Sequence, residues 1–318
     1  MKRKKKTVLV VFGGLSKERE VSLESGKACV KAIKRLGYNV KSFDPGKKML
    51  NEIDRSKVDV IFNALHGKGG EDGIAQSFFE YLRIPYTHSG VISSMNCMDK
   101  VASKDIFKKN NILSPKYFVL NFKDLKKVRF KGLIKKFNLK YPVVVKPSDE
   151  GSSIGVKICK NYKALSNSVH SLKKKYKTLI FETYIGGQEI QAAVMSGKAL
   201  GAIELKPKRK FYDYKAKYYK SAKTIHIMPA NISKKKYKEV LKIAEKAHKI
   251  LKCKGITRSD FKFFKNKFYL LETNTQPGMT DLSLVPEIAK YMGISFDSLV
   301  RRMILDASVN RWSSQLDF

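Results

Sequence analysis

The side chains best suited to chemistry lie close together in one stretch, Gly255 to Ser283. Two runs of strand-forming composition flank Lys265-Asn266-Lys267, a polar turn signal. Paired as an antiparallel hairpin centred on Asn266, they set Asp260 opposite Glu272 and Arg258 opposite Asn274. Alternation along a strand puts these four on one face. Phe261, Phe263, Tyr269 and Leu271 then line the other face, which reads as core. Two carboxylates placed opposite each other repel unless a cation lies between them. An all-oxygen donor set without Cys or His favours Mg²⁺ or a similarly hard cation, which often completes its shell with phosphate oxygens and water. The stretch reads as a Mg–nucleotide site. A polar, solvated hairpin face is the alternative that the spacing leaves open.

Such a hairpin needs a scaffold, and the preceding sequence reads as alternating strands and helices. Thr7 to Phe12 is a short apolar run ending in Gly13-Gly14, as a buried parallel strand would be. Helical spacing runs from Val21 to Leu36 and stops at Gly37. Tyr38 to Phe43 and Val58 to Leu65 read as strands, Ile74 to Leu82 as a helix and Ile84 to Tyr86 as a short strand. This is the pattern of an open parallel sheet, in which ligands gather beyond the carboxyl ends of strands. Two glycine-rich loops fall there, carrying Glu18, Glu20, His66 and Glu71. The Gly13-Gly14 loop lacks the full dinucleotide pattern, and its carboxylates, Glu18 and Glu20, suit a cationic group such as a substrate ammonium. Glu20 suits a helix first turn equally well.

A helix is expected over Met98 to Asn110, and Asn110-Asn111 with Ser114-Pro115 marks a boundary. Tyr141 to Lys146 and Val156 to Cys159 read as strands joined by a Gly- and Ser-rich loop, 147–155. Backbone N–H groups, hydroxyls and Lys146 there could cradle phosphates, though no Walker A pattern occurs and an ordinary flexible hairpin would read the same way. Thr178 to Glu182 and Ile190 to Met195 bracket a turn bearing Glu182 and Glu189, which can serve an adenine and a ribose or simply be exposed. A long polar, aromatic stretch separates Lys206 from Thr224. Lys234 to Leu251 reads as an amphipathic helix.

Composition narrows the class of protein. With 318 residues and 43% hydrophobic content the chain can bury real cores. Its four cysteines form no CxxC pair, which argues against a disulfide framework or a zinc site and for a reducing compartment. No stretch approaches the ~20 apolar residues of a membrane helix, and the cytoplasm is the expected location. The formal net charge of +37 comes from lysines spread along the whole chain without a nucleic-acid-binding signature. It reads as a lysine-biased surface rather than a nucleic-acid interface.

Six strings in order make the chain resemble the D-alanine–D-alanine ligases of the ATP-grasp superfamily over Val8 to Ala307: GGLSKEREVSL, ALHGKGGEDG, MDK, VKPSDEGSSIGV, FYDYKAKY and LLETNTQPGMT…SLVP. The resemblance implies an α/β and α+β fold with a Rossmann-like parallel-sheet unit over 1–98. It also implies two ATP-grasp subdomains, 99–185 and 186–318, that hold ATP between them. It places Lys100, Lys146, Glu150, Ser152 and Ser153 at the phosphates. Glu182, Tyr184 and Ile185 fall at the adenine, and Glu189 at the ribose. Asp260, Glu272 and Asn274 would carry Mg²⁺ or Mn²⁺, two ions. Glu20 would take the ammonium of the first D-alanine, with His66 and Glu71 nearby. Arg258 would polarise the acyl-phosphate carbonyl, and Ser283 with Leu284 would hold the second carboxylate. Lys217 would reach the transferred phosphate, and Tyr218, Ser152 and Glu20 would latch the loop shut. The implied activity is ATP-dependent formation of D-alanyl-D-alanine for the cell wall, by an enzyme that is often a homodimer. Lys215 departs from the usual glutamate of the closing loop.

Overall fold

A computed structural model describes residues 5–121, 123, 130–207, 224–280 and 282–309. β1 (Thr7–Val11) is almost wholly buried and apolar, as a strand covered on both faces must be. It lies between β2 (Asn39–Phe43) and β3 (Val60–Asn63), parallel to both. The crossover from β1 to β2 is α1 (Arg19–Arg35), and Gly37 beyond its end adopts the left-handed conformation, φ 83°. After β3 comes α2 (Ile74–Tyr81). The strand expected at 84–86 is reduced to isolated bridges from Tyr86 to Ile61 and Ser308, because Pro85 has no N–H to give to a ladder.

Where one helix was expected from Met98, there are two, α3 (Val91–Met98) and α4 (Lys100–Lys109). Asp99 divides them as an N-cap: its Oδ1 accepts the N–H groups of Val101 at 2.8 Å and Ala102 at 3.2 Å. The cap puts Lys100 at the first helical position, with Lys104 and Phe107 on the same buried face.

The second sheet contains β4 (Tyr117–Asn121), β5 (Val143–Pro147), β6 (Lys157–Cys159) and β7 (Thr178–Thr183), in the order β4-β7-β5-β6. All its pairings are antiparallel. With it belong α5 (Phe130–Lys136) and α6 (Tyr162–Leu172), and Leu165 and Val169 of α6 pack on Val143 and Phe181.

The third sheet is antiparallel, β10-β9-β8-β11-β12, from β8 (Gln188–Met195), β9 (Lys198–Lys206), β10 (Ile225–Ile227), β11 (Ile256–Phe264) and β12 (Lys267–Asn274). One face is covered by α7 (Lys234–Ile250), whose Val240, Ala244 and Ala247 meet Ile190, Phe261 and Leu270. On the other face Ala193, Met195 and Ile203 share a core with Val8, Val10 and Phe62 of the parallel sheet. Glu189, Asp260 and Lys262 share that face further along and open on the second sheet. The last helices, α8 (Leu284–Tyr291) and α9 (Phe296–Asp306), return to the first unit, where Arg35 of α1 pairs with Asp297 at 2.6 Å.

The β11–β12 hairpin keeps the expected pairing by an unexpected route. Its turn is the two-residue Lys265-Asn266, with φ 47° and 62°, the conformation of a tight type I′ turn. That turn sets Phe264 against Lys267 and Phe261 against Leu270, one residue off the symmetric arrangement about Asn266. A bulge between Asp260 and Phe261 then absorbs Leu271, so Asp260 faces Glu272 and Arg258 faces Asn274. The bulge reverses the alternation on β12 toward the turn. Phe268 and Leu270 join Phe261 in the core, in place of the expected Tyr269 and Leu271, and Leu271 moves to the cavity wall.

Candidate active site

Two adjoining cavities lie where the three units meet. The first is bounded by the second sheet on one side and the hairpin on the other. Lys146, Glu150, Ser153, Glu182, Tyr184 and Ile185 come from the first wall, and Glu189, Asp260, Leu271 and Glu272 from the second. The second cavity takes Glu18 and Glu71 from the glycine loops, Ser152 from the β5–β6 loop, and Arg258 and Asn274 from the hairpin. Lys100 and Glu272 line both, so the two cavities adjoin at these side chains.

In the first cavity the charges are paired in the wall. Glu182 is clamped between two lysines, Lys146 at 2.6 Å and Lys104 at 3.0 Å. Burial alone would raise its pKa, but the two ammonium groups overcome it and hold the carboxyl at about 2. Glu189 pairs across the strands with Lys262 at 2.7 Å. Lys100 donates to the backbone oxygen of Glu150 and lies 3.5 Å from Glu272. The loop between β5 and β6 has consecutive left-handed residues, Ser152 (φ 48°) and Ser153 (φ 61°), followed by Gly155 (φ 75°). Serine rarely adopts this conformation, and strained turns of this kind gather at ligand-binding loops. The two serines serve different cavities, Ser153 the first and Ser152 the second.

The hairpin carboxylates fit a hard divalent cation. Asp260 and Glu272 stand opposite each other on the cavity wall, and Asn274 adds an amide oxygen, oriented by accepting the Gln276 N–H at 2.7 Å. Among the described residues no group of three or more His, Cys, Asp and Glu is arranged to hold a metal. Two carboxylates and an amide leave coordination positions to be filled from outside, which suits an ion that arrives with phosphates. Here Arg258 holds Asp260 through two hydrogen bonds, 2.7 and 3.1 Å.

In the second cavity the carboxylate expected from Glu20 comes instead from Glu18. Glu20 is exposed on α1, while Glu18 is 5% exposed and accepts a hydrogen bond from the Ser152 hydroxyl. Glu18 stands at the N-cap position of α1, its carboxylate turned into the cleft rather than onto the helix end; two residues on, the helix has turned Glu20 to solvent. His66 is buried behind the cavity, in contact with Glu71 Oε1 through Nδ1 and with Ser25 Oγ through Nε2, each at 3.1 Å. Ser25 Oγ also accepts the Met279 N–H at 3.1 Å, so His66 ties a glycine loop to the loop before α8. That makes His66 a support for Glu71.

Ser283 stands at the N-cap position of α8, and its hydroxyl accepts the Thr280 N–H at 2.9 Å. The Leu284 side chain belongs to the core, so toward a ligand it can offer its backbone N–H. Lys217 and Tyr218, with Lys215, lie outside the described residues. Three contributors escape the reading by motif: Lys104 behind Glu182, and Lys17 and Lys68, which pair with Glu150 at 2.6 Å and Asp149 at 2.7 Å. The signal for Lys104 was its spacing of four from Lys100. Nothing in the sequence links Lys17 or Lys68 to the β5–β6 loop.

Two antiparallel sheets closing on a charged cavity, beside a parallel-sheet unit, make this an ATP-grasp fold. A family model described as D-ala D-ala ligase C-terminus matches residues 106–305, and one described as D-ala D-ala ligase N-terminus matches residues 39–89. The chain belongs to the D-alanine–D-alanine ligase family. It is 55% identical over 306 residues to a D-alanine–D-alanine ligase of Pelagibacter ubique, covering 96% of this chain and 99% of the relative. It is 44% identical to one of Wolbachia pipientis, covering 95% of this chain and 94% of the relative. A Bacillus anthracis D-alanine–D-alanine ligase crystallised with ATP superposes with a TM-score of 0.83 at 32% identity, covering 96% of this chain and 97% of the other. Among the described residues no helix is long and apolar enough to cross a membrane.

Proposed function

We propose that this chain joins two D-alanines into D-alanyl-D-alanine at the expense of ATP, in the cytoplasm, for the cell wall. The observation that carries the reading is the shared wall. The hairpin presents Asp260 and Glu272 to one cavity and Arg258 and Asn274 to the next, with Lys100 between.

ATP occupies the first cavity. Lys100, Lys146 and the loop with Ser153 take the phosphates; Glu182, Tyr184 and Ile185 meet the adenine, and Glu189 the ribose. Asp260, Glu272 and Asn274 would hold Mg²⁺ or Mn²⁺, which would neutralise charge on the phosphates. The first D-alanine lies in the second cavity with its ammonium toward Glu18 and Glu71. Its carboxylate oxygen attacks the γ-phosphorus, the bond to the β–γ bridging oxygen breaks, and ADP leaves. Arg258 releases Asp260 and donates to the carbonyl oxygen of the acyl phosphate. The second D-alanine is held at its carboxylate by Ser283 and the Leu284 N–H. Its free amine attacks the acyl carbon, Arg258 stabilises the oxyanion, and phosphate leaves as the nitrogen loses a proton. Ser152, bound to Glu18, keeps the β5–β6 loop over the acyl phosphate and excludes water.

The test is coupled ADP release by the purified chain with ATP, Mg²⁺ and D-alanine. L-alanine is the control, and the dipeptide is followed by mass spectrometry. ADP matched mole for mole by dipeptide, with D-alanine alone, is the expected result. ADP without dipeptide would sink the assignment of the second cavity.

A further inference from the structure

We propose that Lys104 is a positioning residue for ATP. It holds the Glu182 carboxylate in place from behind, so that Lys146 can turn from Glu182 to the phosphates. The inference rests on the reading of the first cavity as the ATP site.

Lys104 is 0% exposed, and it is absent from the lining of either cavity. A buried ammonium is costly unless paired. Glu182 is the carboxylate within ion-pair distance of it among the described residues. Neither Lys104 Nζ nor Glu182 Oε2 makes a hydrogen bond among the described residues, so the 3.0 Å ion pair between them is what compensates both. The ring of Tyr117, directly opposite Glu182 on β4, lies 5.4 Å from the ammonium and closes its other side. Burial draws Lys104 below its ordinary pKa and Glu182 pulls the other way, while Lys104 and Lys146 together hold Glu182 below the usual carboxylate range.

The geometry divides the carboxylate. Oε1 goes to Lys146, which lines the cavity, and Oε2 to Lys104, which does not. Two cations on one carboxylate leave one positive charge in excess, and an entering phosphate balances it. With Lys146 as its sole partner, Glu182 would compete with the phosphates for that lysine. With Lys104 behind it, Glu182 stays charged and aimed while Lys146 swings away. α4 thus delivers two lysines from one face, Lys100 to the cavity and Lys104 to the wall that supports it.

The experiment compares the full chain with Lys104→Met, Lys104→Arg, Glu182→Gln and the Lys104→Met/Glu182→Gln double variant. Calorimetric titration with a non-hydrolysable ATP analogue and Mg²⁺ is set beside steady-state kinetics. Lys104→Met should weaken the analogue about tenfold and raise KM for ATP in step, leaving KM for D-alanine within about twofold. The double variant should bind no worse than Glu182→Gln alone, because the pair acts as a unit. Lys104→Arg, which keeps the charge, should retain most of the affinity. Native affinity in Lys104→Met, strictly additive losses, or an Arg variant as weak as the Met variant would each overturn the proposal. Should Lys104→Met fail to fold, Lys104→Gln supplies the neutral variant. A wild-type chain that binds the analogue but makes no dipeptide refutes the ligase reading and leaves the Lys104 test standing; one that binds no analogue overturns both.

Discussion

The two cavities share a wall but are built differently. In the first, Glu182 and Glu189 are matched by partners on neighbouring strands or on α4, and Glu150 takes its partner, Lys17, from a glycine loop. Glu189 meets Lys262 one strand away, and Glu182 meets Lys146 on the adjacent strand and Lys104 behind it. The second is assembled from three units, with Glu18 and Glu71 from the parallel-sheet loops, Ser152 from the β5–β6 loop and Arg258 and Asn274 from the hairpin. Ser152 to Glu18 closes it from the β5–β6 loop, and Lys17 to Glu150 and Lys68 to Asp149 tie the rest of that loop to the glycine loops; all three contacts run between units. A cavity whose charges are matched in its own walls can be formed before its ligand arrives. A cavity assembled from separate units depends on how those units close. Nucleotide binding should therefore survive changes that stop the chemistry.

The sharpest way to break that comparison is Arg258→Ala. Removing an oxyanion donor commonly costs about 10²–10³ in rate. Dipeptide formation should fall by that order, while calorimetric affinity for the ATP analogue stays within about threefold. A comparable loss of nucleotide affinity would show that the cavities are not separable. A smaller effect distinguishes Glu18 from Glu20. Glu18→Gln should raise KM for the first D-alanine about tenfold or more, since a charge-assisted contact is worth ~1.5–3 kcal/mol. Glu20→Gln should leave both KM values near wild type. The reverse result would mean that α1 begins differently in the working enzyme.

The smallest effect belongs to the ion pairs that exposed lysines make with the β5–β6 loop. Lys17→Ala and Lys68→Ala should each change rates by no more than about fivefold, because both lysines are solvent-screened and a surface ion pair contributes ~0–1 kcal/mol. Their signature should be in coupling: more phosphate released per dipeptide, and a wild-type coupling ratio that worsens with added salt toward that of the variants. Salt-independent coupling in the wild type would mean that these pairs do not hold the loop.

Much of this was legible in the chain, and the places where it was not are instructive. A hairpin centred on Asn266 gave the facing pairs Asp260–Glu272 and Arg258–Asn274, and alternation put them on one face, yet the register near the turn was wrong by one. The type I′ turn at Lys265-Asn266 shortened the loop and a bulge at Leu271 compensated. Alternation reports which residues share a face within a regular strand and is blind to an extra residue. Glu18 and Glu20 were both recognised as carboxylates on a glycine loop. Choosing between them required the point at which α1 begins, and helix starts depend on caps and packing as much as on composition.

What the amino-acid sequence determined by itself was the chemistry available: the all-oxygen hairpin, the Ser- and Gly-rich loop, the glycine loops beyond parallel strands, and lysines for phosphate. These are local patterns, set by turn geometry, strand alternation and residue type. Only the tertiary structure decided which of those groups meet. It brought Lys104 behind Glu182, sent Ser152 and Ser153 into different cavities, turned Glu18 inward and Glu20 outward, and paired Lys17 and Lys68 with residues more than 80 positions away. Charges so distant in sequence find each other through the packing of sheets and helices, and that packing is driven by buried apolar surface, which carries no record of which polar groups it will bring together.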